Sequence, residues 1–163
     1  METGLVLEIS AAGQSPGRHE LVLAVRNVSA RRLLIPAPDI IGFCFRRLDD
    51  GTEAQWETRT LQSGRWRGVV LDAGAGETTA FSIVAWDART AAEKEPMHPD
   101  FKRWGLDLHA GTYEVTYRLQ VDDAYFDPDT HCRLADLVRE AAARGADAWR
   151  GDVTSNVLRV AHR

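Results

Sequence analysis

Leu108-His109-Ala110-Gly111-Thr112-Tyr113-Glu114-Val115-Thr116-Tyr117-Arg118-Leu119-Gln120-Val121 is the stretch that decides the fold. From Tyr113 onward Tyr113, Val115, Tyr117, Leu119 and Val121 occupy every second position, with Glu114, Thr116, Arg118 and Gln120 between them. A strand turns successive side chains to opposite faces, so this is an antiparallel strand with one face buried and one wet. Its first tyrosine follows a glycine turn. That placement fits a tyrosine corner, in which the phenol bonds back to the backbone a few residues upstream, as in β-sandwiches.

Upstream the same period recurs in shorter pieces. Leu5, Leu7 and Ile9 alternate ahead of the turn signal Gln14-Ser15-Pro16-Gly17, and Leu21, Leu23 and Val25 share one face of a strand over 20–28. Leu33-Leu34-Ile35 is a short apolar run ended by Pro36 and Pro38, because proline is tolerated at strand ends, bulges and edges. Phe43, Phe45 and Arg47 alternate with Cys44, Arg46 and Leu48, and Asp50-Gly51 then suits a tight hairpin turn. Residues 53–57 return antiparallel and bring Trp56 toward Phe43 and Phe45. Strands are expected over 66–71 and 78–86, the second carrying Trp86 into the core. The loop between them, Ala73-Gly74-Ala75-Gly76, lacks the lysine and following helix of a phosphate cradle and reads as a turn.

Residues 87–107 break the pattern: 88–95 has helix-forming composition, Pro96 and Pro99 interrupt it, and Phe101 and Trp104 can pack the segment back onto the body. Beyond Asp122, Asp127 before Pro128 predicts a helix N-terminus. Leu134, Leu137, Val138 and Ala141 recur at helical spacing and Gly145 supplies the stop. Residues 154–161 give a last strand with Leu158 and Val160 on one face. The expectation is an all-β antiparallel sandwich of about 7–9 strands, with one helix inserted before the last strand. It forms a single domain over 1–163, with irregular insertions at 87–107 and 122–149.

The bulk composition agrees. A chain of 163 residues with 44% hydrophobic and 27% charged residues can bury one sizeable core and is not disordered, collagen-like or disulfide-dense. A net charge of −4 argues against nucleic-acid binding, which displaces counterions with positive charge. No apolar stretch approaches the roughly 18 residues of a membrane helix. Met1-Glu2-Thr3-Gly4 has no features of a secretory signal. The expected location is therefore cytoplasmic, with Cys44 and Cys132 reduced. Cys44 reads as a small buried thiol and Cys132 as a helix residue beside His131. Asn27-Val28-Ser29 fits a glycosylation acceptor but has no such use in a cytoplasmic chain. Only Lys94 and Lys102 are lysines, so 18 of the 20 basic residues are arginines, a bias that GC-rich coding explains more simply than function.

Several phrases together resemble the bacterial intracellular proteinase inhibitor family called BsuPI-like, and related immunoglobulin-like bacterial modules. They are Leu23-Ala24-Val25-Arg26-Asn27-Val28-Ser29, Gly42-Phe43-Cys44-Phe45 leading to Asp50-Gly51 and Trp56, Leu71-Asp72-Ala73-Gly74, Trp86-Asp87, and Leu108 through Val115. They cover roughly residues 20–121, in order. Each phrase is strand and turn grammar, so the resemblance implies an immunoglobulin or fibronectin III-like sandwich and, beyond it, an inhibitor-type role. The 87–107 connection and the helix-bearing 122–149 segment depart from the family pattern, and no reactive-site residue carries over.

No nucleophile elbow, zincin motif or paired C-x-x-C is present, so the expectation is a non-catalytic protein with no cofactor and no metal. The acidic loop Asp122, Asp123, Asp127 and Asp129, with His131 and Cys132 beyond it, is the one calcium candidate. Helix capping is the simpler use of Asp127 and Asp129. His98 and His109 read as loop and turn residues. Tryptophan and arginine are enriched at interface hot spots, which draws attention to Arg65-Trp66-Arg67, Arg103-Trp104 and Trp149-Arg150. The plainer reading is that each tryptophan staples its loop to the sandwich. Arg103, Trp104, Trp149 and Arg150 are the candidate partner-binding residues. The partner is another protein, and the chain would be an intracellular protease inhibitor or a toxin-neutralising immunity-type protein. A carbohydrate- or calcium-binding sandwich module is the alternative.

Overall fold

A computed structural model of the chain describes residues 3–58, 67–89, 104–127 and 130–163. The architecture is all-β. Strands β1 (Leu5–Ser15), β2 (Arg18–Asn27) and β7 (Gly76–Val84) form one antiparallel sheet in the order β1-β2-β7. The second main sheet is built on β9 (Gly111–Val121), which pairs with β4 (Phe43–Arg47) along one edge. Its other edge pairs with β12 (Leu158–His162) and, further along, with β11 (Gly151–Thr154). This is the sandwich expected from the alternation in 113–121.

The inward faces are the ones the period of two assigns. Leu5, Leu7 and Ile9 of β1, Leu21, Leu23 and Val25 of β2, and Tyr113, Val115, Tyr117, Leu119 and Val121 of β9 are all buried in one core. Phe43 and Phe45 of β4 face them. Phe43 makes edge-to-face contacts with Phe81 of the opposite sheet, at 5.2 Å between centroids, and with Tyr117, at 4.9 Å. Such pairs add to burial because ring edges and faces carry opposite partial charge. The Asp50-Gly51 turn forms with Gly51 at φ 73, and the returning segment brings the Trp56 indole N–H to the Phe43 carbonyl at 2.9 Å.

The strand count among the described residues is twelve rather than 7–9, because short pairs flank the two main sheets. β3 (Leu33–Pro36) lies between β6 (Gly68–Leu71) and the two-residue parallel strand β10 (Asp147–Ala148). β5 (Trp56–Thr58) pairs with β8 (Trp104–Leu106). The helix α1 (Leu134–Ala143) packs on β3 and β10 with Leu137 and Ala141 buried.

The expected last strand over 154–161 is two strands, and its break has a clear cause. Ser155 and Asn156 leave the ladder to make side-chain bonds. The Ser155 hydroxyl accepts the Tyr117 N–H at 2.8 Å. The Asn156 carboxamide accepts the Ile9 N–H at 2.8 Å and donates to the Ile9 carbonyl at 3.1 Å. One amide side chain thus bonds the edge of β1 and ties the two main sheets together.

Three further expectations are corrected. Trp86 is half-buried in a short 3-10 turn (Trp86–Ala88) beyond β7, with the Arg89 guanidinium 5.5 Å above its ring. The helix starts at Leu134 and not after Asp127. Asp127 N–H bonds the Cys132 carbonyl at 2.9 Å, which takes Asp127 away from the helix start, and Asp136 accepts the Arg133 N–H at 3.0 Å to cap the helix. Cys132 accordingly precedes the helix. The helix stops before Gly145 as expected. The 88–95 helix expectation falls mostly on 90–103, and the start of the 66–71 strand on 59–66, both outside the described residues.

Asn27 ends the inward face of β2 fully buried. Its amide donates to the carbonyls of Arg31, Leu71 and Asp72 at 2.7–3.1 Å, and its oxygen accepts the Ser29 N–H and hydroxyl at 2.9 and 2.7 Å. The apparent glycosylation triplet is therefore a turn in which asparagine and serine close the chain on itself.

The tyrosine corner is present. The Tyr113 hydroxyl donates to the His109 carbonyl at 2.8 Å and accepts the His109 N–H at 3.0 Å. Replacing Tyr113 by Phe leaves both groups without that partner while the ring still packs, and should cost about 1–2 kcal/mol. Urea unfolding with an unchanged slope and a lower midpoint is the expected result. A midpoint equal to that of the parent chain would show that the corner contributes nothing.

Candidate functional site

An open groove of about 900 Å³ runs along the outward face of β4 and β9. Its floor is the wet side of the alternation: Cys44 from β4, with Thr116, Arg118 and Gln120 from β9. One wall is the Pro-rich loop after β3. The other is formed by Tyr125, Phe126, Asp127 and Thr130 of the acidic loop, with Trp56 at the end of the hairpin.

The Pro-rich wall is held from inside the protein. The Tyr117 hydroxyl reaches through the core to Asp39, donating to its carbonyl and accepting its N–H, each at 3.0 Å. Burial pushes the Tyr117 phenol well above its ordinary range, so it remains a hydrogen-bond donor at any working pH. Gly42 lies against the same ring, where a Cβ would stand 2.4 Å from Cζ, so the loop is seated by a residue with no side chain. On the opposite wall Phe126 is 48% exposed and stacks on His131 at 5.9 Å between ring centroids. His131 takes a positive φ of 56° to close that loop.

The ionic groups of the floor are paired. Arg118 grips Asp152 of β11 through Nε at 2.8 Å and through Nη2, a two-point carboxylate clamp. Its guanidinium holds the Asp152 carboxyl below the usual range. Further along the same face Glu114 sits between Arg46 at 2.7 Å and Arg159 at 3.5 Å, and Arg46 chiefly depresses its pKa. Arg46, Arg118 and Arg159 thus pair with carboxylates across adjacent strands.

Cys44 is half-buried rather than buried, because it lies on the outward side of β4. Burial, followed by a hydrogen bond and the charge of Glu53, pushes its thiol up to about 11. Cys132 is also pushed up to about 11, by burial and then by the charges of Asp136 and Asp127. Both are free thiols. A thiol is nucleophilic as its thiolate, so neither is activated.

The sequence-derived candidates separate. Trp149, expected at a binding surface, is corrected: it is 3% exposed and belongs to the core. Its indole N–H donates to the Thr3 carbonyl and its backbone N–H to that of Leu34 at 2.9 Å, so it staples its loop to the sandwich. Arg150 is exposed and pairs with Asp123. Trp104 is half-buried on β8, in a different sheet from the β3–β10 pair that Trp149 joins. Arg103, with Arg65 and Trp66, lies outside the described residues. Of the four described tryptophans, Trp149 is buried and Trp56, Trp86 and Trp104 are half-buried. In the acidic loop Asp122 accepts from Ala124 N–H and Gln120, both at 2.9 Å, while Asp123 faces Arg150. Among the described residues no three acidic, histidine or cysteine side chains gather into a metal cluster, and Asp129 lies outside them. His109 is exposed beside Asp107 at 3.7 Å.

Sequence reasoning passed over Tyr125 and Phe126, which sit among the aspartates it did consider. The available signal was two adjacent aromatics in an otherwise polar loop, where a buried position is not enforced.

No protein-family model matches the chain, and no curated protein is similar to it. Among the described residues no helix is long and apolar enough to cross a membrane.

Two measurements check these placements. Trp149→Ala should lose about 3–5 kcal/mol of stability as a core truncation. Arg150→Ala, removing an exposed ion pair, should stay within about 1 kcal/mol. Equal losses in chemical denaturation would contradict the assignment. At pH 8 both thiols should alkylate roughly a hundredfold more slowly in the native than in the unfolded protein, since each folded thiol titrates about two units higher. Comparable rates in the two states would show that folding does not suppress the thiols.

Proposed function

We propose that this protein is a non-catalytic module that binds another protein, and that the groove on β4 and β9 is its docking surface. The observation that carries the reading is a roomy open groove with a bonded floor, seated walls and a half-exposed phenylalanine at its rim. Loops on a rigid scaffold are where sandwich proteins place recognition. A large aromatic that gains a partner pocket on association is the kind of residue that dominates binding energy. The unactivated Cys44 thiol on the floor and the Arg118 side chain held by Asp152 favour recognition over covalent chemistry.

The role takes one of two forms, inhibition of an intracellular protease or neutralisation of a toxin, both acting in the cytoplasm. The resemblance to BsuPI-like inhibitors favours the first. It rests on residues 20–121, whereas the groove also uses Tyr125, Phe126, Asp127 and Thr130 beyond them.

Direct binding to a panel of purified bacterial proteases and toxin domains tests the reading. One tight, saturable partner is expected, with Phe126→Ala weakening it about thirtyfold and leaving the melting curve in place. Equal affinity of the folded Phe126→Ala variant would move the docking surface elsewhere. Turnover of a substrate by the chain itself would overturn the non-catalytic assignment.

A further inference from the structure

Among the described residues two histidines are buried, His19 at 2% and His162 at 7% exposure. His19 is on the inward face of β2, in register with Leu21, Leu23 and Val25. His162 ends β12 in the facing sheet. Their rings meet between the sheets, with His19 Nε2 3.2 Å from His162 Nδ1 and centroids 5.4 Å apart. A contact of that length needs an N–H on one ring and a lone pair on the other. A neutral pair meets this condition, and so does a pair carrying one extra proton. A doubly protonated pair sets two cationic N–H groups head to head.

No carboxylate compensates from the elements packed around His19. β4 presents the Phe45 ring at 6.1 Å. The register neighbours of His19 are Gln14 on β1 and Ile83 on β7. Arg18 and Glu20 fall on the opposite face of β2, where Glu20 bonds Ser82 at 2.8 Å. From β9, Gly111 opposes His162, and the charged side chain lying on that glycine is the cationic Arg47. The titratable group that acts on His19 is His162 itself. Nearby, the Gln14 amide donates to the Ala161 carbonyl at 2.6 Å, so the β1–β2 turn region and the end of β12 are joined at this one place.

We propose that the His19–His162 contact is a proton-operated latch, tying the end of β12 to β2 until a second proton reaches the pair and releases that strand end from the sandwich. The sign follows from burial and from the neighbouring imidazole, which both lower the His19 pKa below its ordinary 6.5. The open chain takes this proton before the closed one does. The contribution is complete above pH 6.5 and declines as pH falls below it. Each proton bound by the open form alone multiplies the opening constant about tenfold per pH unit. Because β12 covers part of one edge of β9, its release bares backbone of the central strand.

Native-state hydrogen exchange between pH 7.5 and 5.0, corrected for intrinsic rates, tests the latch. The protected amides of β12 should lose protection about tenfold per pH unit below 6.5 relative to those of β11, which pairs with the same strand. In the apolar double variant His19→Leu/His162→Leu that ratio should be flat. A flat ratio in the parent protein, or the parent slope persisting in the variant, would overturn the proposal. Should the variant not fold, imidazole NMR titration of the parent decides. A His19 midpoint below 6.5 that coincides with the loss of β12 protection supports the latch, and a midpoint at or above 6.5 refutes it.

Discussion

β9 is hydrogen-bonded along both edges, to β4 on one side and to β12 and β11 on the other, while its inward face fills the middle of the core. A slip of one residue in this strand would turn Tyr113, Val115 and Tyr117 outward and bury Glu114 and Arg118, which cannot be solvated inside. The register is therefore strongly determined, and two tyrosines lock it. Tyr113 bonds the backbone that enters the strand and Tyr117 bonds the loop that precedes β4. Everything on the outward face, including the groove floor and its ion pairs, inherits its position from that register.

A second set of constraints comes from polar side chains that stand in for missing backbone partners. Asn27 satisfies the carbonyls where β2 leaves the sheet, and Asn156 does the same for Ile9 at the β1 edge. Buried backbone groups must find partners, and irregular chain cannot supply them by repetition. These asparagines allow the loops to be irregular without leaving orphan donors and acceptors.

The surface chemistry is conservative by comparison. Arg46, Arg118, Arg150 and Arg159 all face carboxylates. Of the described aspartates of the acidic loop, Asp122 and Asp127 bond nearby backbone N–H groups and Asp123 pairs with Arg150. What stands apart is Phe126, half-exposed at the edge of the groove, and the buried His19–His162 pair, two titratable rings bonded to each other between the sheets. Those two features carry the functional proposals because neither is explained by the stability of the sandwich.

The fold was legible in the sequence wherever a period of two ran unbroken. The alternation of 113–121, the 21–25 face and the Phe43/Phe45 hairpin each appear in the structure with the expected side inward. The tyrosine corner was readable from Gly111 and Tyr113 alone. The site was not legible in this way: Tyr125 and Phe126 lie in a loop, where no period governs which way a side chain points. Trp149 looked like a surface anchor beside Arg150, yet the Thr3 and Leu34 carbonyls, remote in sequence, give its N–H groups partners inside the body. Likewise Asp127 had the composition of a helix cap, and a bond to Cys132 diverted it. Local periodicity by itself determined the strands and their buried faces, because burial on one side imposes it. The groove, the split last strand and the His19–His162 contact were decided by tertiary structure, because each depends on residues that share no local pattern and meet only when the sheets pack.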